Sequence, residues 1–147
     1  MSEPLVLRPR KLRWAAWIAA VSFVAIMTVA AVLLRSVPTG VYFRTADQVA
    51  MVVLGLLFAA GALVFIRPRV RADADGVEVR NLVTTRHFPW DVVRAVSFPD
   101  GSPWARLELP ADEYVAVMAI QSVDGARAVE AIRALRAVHA EHTATVP

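Results

Sequence analysis

Three kinds of side chain in this sequence could do chemistry or hold a ligand: histidines, clustered arginines, and tryptophans that follow prolines. His139 and His142 stand three apart with Glu141 between them. That spacing could share a divalent metal at a helix end, but a solvated, fraying helix end is the more ordinary reading. His87 falls inside a strand-like run with no partner in view. The carboxylates Asp73/Asp75 and Asp112/Glu113 lie in turn-rich stretches, where Asp bonds its own backbone. None of them sits in an apolar pattern suited to general acid–base work. The sequence has no cysteine, which excludes disulfides, thiolate metal sites and cysteine nucleophiles. No G-x-S-x-G, H-E-x-x-H, Walker or G-x-G-x-x-G pattern occurs. No catalytic residue, cofactor or metal site is expected, and the chain is read as not an enzyme.

The arginines fall in two groups, Arg8, Arg10, Lys11 and Arg13, then Arg67, Arg69 and Arg71. Such residues could hold anionic lipid headgroups, at about 1 kcal/mol each near an anionic surface. Their simpler role is to set membrane topology. Trp90 and Trp104, each near a proline, could line a partner groove, although tryptophans in a small domain more commonly pack its core. An exposed sheet edge is another way to take a partner, by strand addition.

The elements that must position these residues start with two uncharged runs. Trp14–Leu34 has twenty-one residues without a charge, and Val49–Ile66 is a second such run. A helix of the first length spans roughly 30 Å, the thickness of a bilayer's hydrocarbon core. Trp14 and Trp17 open the first run, at the depth where indoles favour the headgroup interface. The run is longer than the core of a usual secretory leader and ends without a clean A-x-A site, so no cleavage is expected. Between the runs, Ser36, Pro38, Thr39 and Gly40 act as breakers, and Thr45-Ala-Asp-Gln48 matches a capping box that starts the second helix near Ala46. Ala15/Ala19, Ala16/Ala20 and Gly55/Ala59 have the small-xxx-small spacing that lets helices approach closely in lipid.

The net charge of +3 does not indicate nucleic acid. Up to Asp47 there are six basic residues against two acids, whereas from Arg67 onward ten arginines face eleven acids. The basicity thus belongs to the helix flanks and not to a nucleic-acid surface. More Lys/Arg flank the outer ends of the two runs than the connection, which has Arg35 and Arg44. The positive-inside rule then places both termini in the cytoplasm of a two-helix plasma-membrane protein.

The organisation expected is a mobile basic segment at 1–13, helices at 14–34 and 49–66 joined by an extracytoplasmic loop at 35–48, a folded domain at 67–142 and a frayed tail at 143–147. Within the domain six short strands are expected, over 70–72, 77–80, 84–88, 92–98, 104–109 and 114–120. A helix over 123–139 follows, with Ser122 as N-cap and an apolar stripe of Ala128, Val129, Ile132 and Leu135. The expected core is Phe88, Trp90, Val96, Phe98, Trp104, Leu107, Leu109, Val117, Ile132 and Leu135. The fold class is α+β: a small antiparallel sheet or partly open barrel with a helix over one end, behind a transmembrane hairpin.

The stretches Arg67–Val70, Ala72–Asn81, Phe88–Trp90, Pro103–Leu109 and Val117–Gly125, behind two apolar helices, resemble a bacterial pleckstrin-homology-like (PH-like) family of the actinobacterial low-molecular-weight protein antigen type. The resemblance covers residues 67 to about 140. It implies a PH-like barrel capped by a C-terminal helix, held at the inner face of the plasma membrane and without enzyme activity. It implies recognition of a protein partner or a second copy of the chain, or else of lipid headgroups. Headgroup-binding members carry Lys/Arg around the first β-turn. Here Asp73-Ala-Asp75-Gly76 stands in that place and would repel phosphate. The six strands counted are also one fewer than the usual seven.

Overall fold

The computed structural model describes residues 3–36, 38, 40 and 42–144. Thr39 among the breakers, the first two residues of the basic segment and the last three of the tail lie outside the described residues. The chain forms two units, residues 12–66 and residues 1–11 together with 67–147.

The first unit is helical. α1 (Arg10–Ser36) extends beyond both ends of the first uncharged run, and α2 (Thr45–Leu63) starts before the second run, whose last three residues form a single 3₁₀ turn (Val64–Ile66). Arg10–Ser36 and Thr45–Ile66 are each long and apolar enough to cross a membrane. α2 starts one residue earlier than expected because the capping carboxylate is Asp47, which accepts the Arg44 N–H at 2.9 Å. Gln48, expected to close the capping box, instead accepts from the Arg35 guanidinium at 3.0 Å. Ala16, Ala20 and Ala31 of α1 and Gly55 and Ala59 of α2 are buried. A Cβ at Gly55 would stand 2.9 Å from the Met27 Cβ, so only glycine admits this approach. Phe23 and Phe58 pack beside it, 5.5 Å between ring centroids. Ala16/Ala20 and Gly55/Ala59 therefore mark the helix–helix contact, whereas Ala15 is exposed and Ala19 half-buried.

The second unit holds a strand absent from the expectation. β1 (Leu5–Leu7) pairs antiparallel with β2 (Arg69–Ala72), Leu7 facing Val70 and Leu5 facing Ala72. β3 (Gly76–Arg80) and β4 (Thr85–Pro89) complete a four-stranded antiparallel sheet in the order β1-β2-β3-β4. β5 (Ala95–Ser97), β6 (Trp104–Glu108) and β7 (Tyr114–Gln121) form a three-stranded antiparallel sheet. α3 (Ala126–Thr143) packs against β5, β7 and β1. The two sheets do not close on each other through strand pairing.

Two expectations are corrected here. Residues 5–13 are not a mobile lead, since Leu5–Leu7 is an edge strand and α1 begins at Arg10, and that strand is the seventh, one more than the six expected. Three residues are too few for period-two alternation to register, and the basic run after them reads as a membrane flank. Asp73–Gly76 is not the first connection of the sheet either, because it joins β2 to β3. The first connection, from Arg8 to Pro68, contains both apolar helices. It carries the tripeptide Arg-Pro-Arg at each end (8–10 and 67–69), and Pro9 and Pro68 are fully buried. Proline lacks an N–H and disfavours helix in the residue before it, so it separates strand from helix within a residue or two. α1 starts directly after Pro9 because the Asp124 carboxylate accepts the N–H groups of Arg10 and Lys11 at 3.2 and 3.0 Å.

The core gathers Val70, Ala72, Val77, Val79, Trp90, Val93, Val96, Leu107, Val117, Ile120, Ile132 and Leu135, with Phe88, Phe98, Leu5 and Leu7 packed against it. Trp104 and Leu109 are outside this cluster. The fourth expected strand is shortened because Trp90–Val92 turns as a 3₁₀ element. α3 starts three residues late for the same reason, at Ser122–Asp124. Gly76 is required by close approach: a Cβ there would lie 2.3 Å from the Phe88 carbonyl oxygen.

Since β1 belongs to the domain, a fragment of residues 67–147 lacks an edge strand and the burial of two leucines, roughly 2–3 kcal/mol at half burial. That fragment is expected to unfold at lower denaturant than a soluble chain in which residues 9–67 are replaced by a short hairpin turn linking β1 to β2. Urea denaturation followed by tryptophan fluorescence measures the difference. Equal midpoints would show that β1 contributes nothing.

Candidate functional site

Recognition by a small two-sheet domain uses a sheet edge, a sheet face or a groove under a helix. The outer edge of β7 is latched by Asn81, whose side-chain N–H donates to the Ala116 carbonyl at 2.8 Å and whose Oδ1 accepts the Met118 N–H at 3.1 Å. One amide thus acts as a strand residue between the two sheets. The β5 edge is covered by α3, as Arg136 Nε donates to the Val96 carbonyl and His139 Nε2 donates to the Val93 carbonyl, both at 2.8 Å. Strand addition at these two edges is closed. The β4 edge, with exposed Thr85, Arg86 and His87, remains unpaired. β1 borders a groove of about 290 Å³ against α3, lined by Val6, Arg8, Asp124, Arg127 and Glu130 among others.

The residues singled out by sequence fall in different places. Trp90 is 6 % exposed, and its Nε1 donates to the Asp73 carbonyl at 2.8 Å. His142 stacks on it at 5.5 Å between ring centroids with 19° between planes, and His139 tilts against it at 5.7 Å. Trp90 therefore belongs to the core under α3, and Trp104 stands half-buried on β6, outside that core. The end of α3 is not frayed at the histidines, because packing on Trp90 holds both rings and His142 Nδ1 donates to the Val138 carbonyl at 2.8 Å. No group of three or more metal-ligating side chains occurs among the described residues.

Arg8, Arg10, Lys11 and Arg67 are exposed around the two Arg-Pro-Arg junctions, and Arg13 is half-buried in α1. Arg69 and Arg71 alternate with the buried Val70 and Ala72, which places them on the outer face of the first sheet. Arg80 stands opposite Arg69 and Glu78 opposite Arg71. The Arg69 guanidinium pairs with Glu78 at 2.8 Å, and Arg71 lies 3.7 Å from Asp73. Arg69 Nε and Arg80 Nε are buried without a hydrogen-bond partner. The acidic turn is thus structural and in part neutralised: Asp73 lies beside Arg71 and accepts the Asp75 N–H at 3.2 Å, and its backbone carbonyl holds Trp90.

The second sheet has its own cleft, of about 250 Å³, lined by Arg94, Ser97, Arg106, Glu108, Asp112 and Tyr114 among others. The Arg106 guanidinium lies 4.3 Å above the centre of the Tyr114 ring. Sequence reading missed this cleft and Asn81. Neither follows a motif: the cleft appears only when β5, β6 and the loop after β6 are side by side.

A bacterial PH domain family matches residues 67–137. Three proteins described as uncharacterized, one from Mycobacterium bovis and two from strains of Mycobacterium tuberculosis, are each 48 % identical over 120 residues, covering 82 % of this chain and 78 % of each relative. The chain belongs to the bacterial PH-domain family. The match begins at Arg67, so the first strand of this PH domain lies some sixty residues upstream of the region by which the family is recognised. No solved structure matches the chain.

Replacing Asn81 by Ala leaves two backbone groups of β7 without partners and is expected to cost about 2 kcal/mol. Hydrogen exchange at the Met118 amide should accelerate together with that loss. An unchanged Met118 rate would mean the amide latch is not what holds the sheets together.

Proposed function

We propose that this chain is a non-enzymatic integral membrane protein that presents its PH domain at the cytoplasmic face for docking a protein partner or a second copy of itself. The observation that carries this reading is the connectivity of the first sheet. β1 precedes both apolar helices and β2 follows them, yet the two strands pair. If the helices span the membrane, they cross it twice and both ends lie on one side, and the basic flanks favour the cytoplasm. The domain is then tethered through two junctions. Restriction to the membrane raises its effective concentration toward membrane-bound partners. The chain between β1 and β2, where headgroup-binding relatives of the fold keep a basic turn, is here given over to the hairpin.

The absence of native cysteine makes the arrangement directly testable. Single cysteines at Gly40 and Val83 are expected to differ toward a membrane-impermeant thiol reagent on intact cells, with Gly40→Cys labelled and Val83→Cys protected until the cells are opened. Labelling of Val83→Cys on intact cells would overturn the topology. Cross-linking in native membranes is expected to give a reproducible hetero- or homo-complex that is lost when the domain is removed. Its absence would count against a docking role.

A second reading, anionic lipid contact, has one observation in its favour. Arg69 Nε and Arg80 Nε are unbonded on the sheet face that begins three residues after Ile66. In nanodiscs, amide exchange over residues 69–80 is then expected to slow when anionic lipid replaces neutral lipid, and Arg69→Gln with Arg80→Gln to abolish the difference. Equal exchange in both lipids would rule this reading out.

A further inference from the structure

The second sheet carries charges of both signs that do not pair. Arg94, Arg106, Glu108, Asp112 and Glu113 all line one cleft of about 250 Å³. On the first sheet Arg69 and Glu78 close to 2.8 Å, but in this cleft no arginine lies within ion-pair distance of a carboxylate. None of the five side chains has a hydrogen-bond partner among the described residues. Arg106 Nε and the Ser97 hydroxyl, which face each other across the β5–β6 ladder, are shielded from solvent and also unbonded.

The cleft is held in shape. Arg106 is seated on the Tyr114 ring, which fixes its guanidinium fork. The loop that brings Asp112 and Glu113 to the cleft contains Ala111 at φ 60° and Asp112 at φ 57°, the two non-glycine residues with positive φ among those described. A left-handed alanine is unfavourable, and such strain persists where the surroundings enforce it. The Leu109 N–H, donating to the Glu113 carbonyl at 2.8 Å, closes this loop.

We infer that the cleft between β5, β6 and the Pro110–Asp112 loop is a docking site for a protein segment that carries an acidic side chain beside a basic one. The acidic group enters the fork of Arg94 and Arg106 near Ser97, and the basic group meets Asp112 and Glu113. The charge count selects this occupant: three carboxylates against two arginines disfavour a purely anionic ligand such as a phosphate or a lipid headgroup, and the arginines disfavour a purely basic one. Unpaired charges already in position lower the ordering cost of binding. This inference rests on the docking reading above and assigns it a surface.

The test uses the full chain in neutral-lipid nanodiscs and three short peptides of equal length: one with glutamate next to lysine, one with two glutamates, one with two lysines. Amide chemical shifts report the site. The mixed peptide is expected to move resonances of residues 94–97 and 106–114 and to bind more tightly than the other two. Arg106→Gln should weaken it about tenfold, the loss of one charge-assisted contact, while Arg86→Gln on the other sheet leaves it unchanged. Ala111→Gly, which relaxes the loop without touching the peptide, should raise the thermal midpoint and weaken binding. Equal or tighter binding of the double-glutamate peptide, shifts confined to other residues, or unaltered binding by Arg106→Gln would overturn the assignment. In-cell cross-linking separates the two levels. The same partner captured by wild type and Arg106→Gln overturns the cleft and leaves docking intact, whereas no partner with either overturns docking itself.

Discussion

The pairing of β1 with β2 is the constraint on which the rest of the structure depends. It joins residues separated by the whole of both apolar helices, as Leu7 lies opposite Val70. A strand three residues long has little intrinsic stability, so its place is secured from both ends. On one side Leu5 and Leu7 pack on the core. On the other, Pro9 is buried and Asp124 caps the first turn of α1. The same carboxylate therefore ties the start of α3's segment to the start of α1. Non-local pairing of this kind forms late, since β1 is made first and must wait for β2.

Much of this was legible in the sequence, because long uncharged runs and alternating valines are strong signals. Both apolar helices, five strands nearly to the residue, and the Ala128–Ile132–Leu135 face of α3 follow from pattern alone. What escaped was whatever depends on distant neighbours. β1 is too short to show a period, and its basic neighbours suggested another role. Without it, the β2–β3 turn stands first in the chain, so headgroup repulsion attaches to Asp73–Gly76 although that turn is the second connection of the sheet. Trp90 and the two histidines are separate features in the sequence, since nothing local says that residues about fifty positions apart will pack together. The second-sheet cleft is invisible in the sequence for the same reason: Asp112/Glu113 are turn residues, and only the fold brings them to one cleft with Arg94 and Arg106.

Edge management explains where recognition can occur. An open sheet edge invites pairing with other chains, and this domain closes two of its four edges with side chains alone. Asn81 satisfies both a donor and an acceptor of β7, Arg136 occupies the Val96 carbonyl of β5, and His139 the Val93 carbonyl just before that strand. β4 is left open but carries Arg86 and ends at Pro89, a combination that discourages strand addition. The surfaces left for a partner are thus sheet faces and the β1–α3 groove.

The two sheet faces differ in electrical character. On the first, Arg69, Arg71 and Arg80 outnumber Asp73 and Glu78, and most of the charge is already paired. On the second, Glu108, Asp112 and Glu113 outnumber Arg94 and Arg106, and none is paired. β2 leaves the helical unit within three residues, so its arginines lie close along the chain to any bilayer that α2 crosses. An anionic leaflet attracts each nearby arginine by about 1 kcal/mol and repels carboxylates comparably. The sign difference makes the first face the better match for anionic groups and the second a poor one. Within the domain the second face is thus the one whose charged groups still lack partners, so its cleft has the most to gain from a ligand of mixed charge.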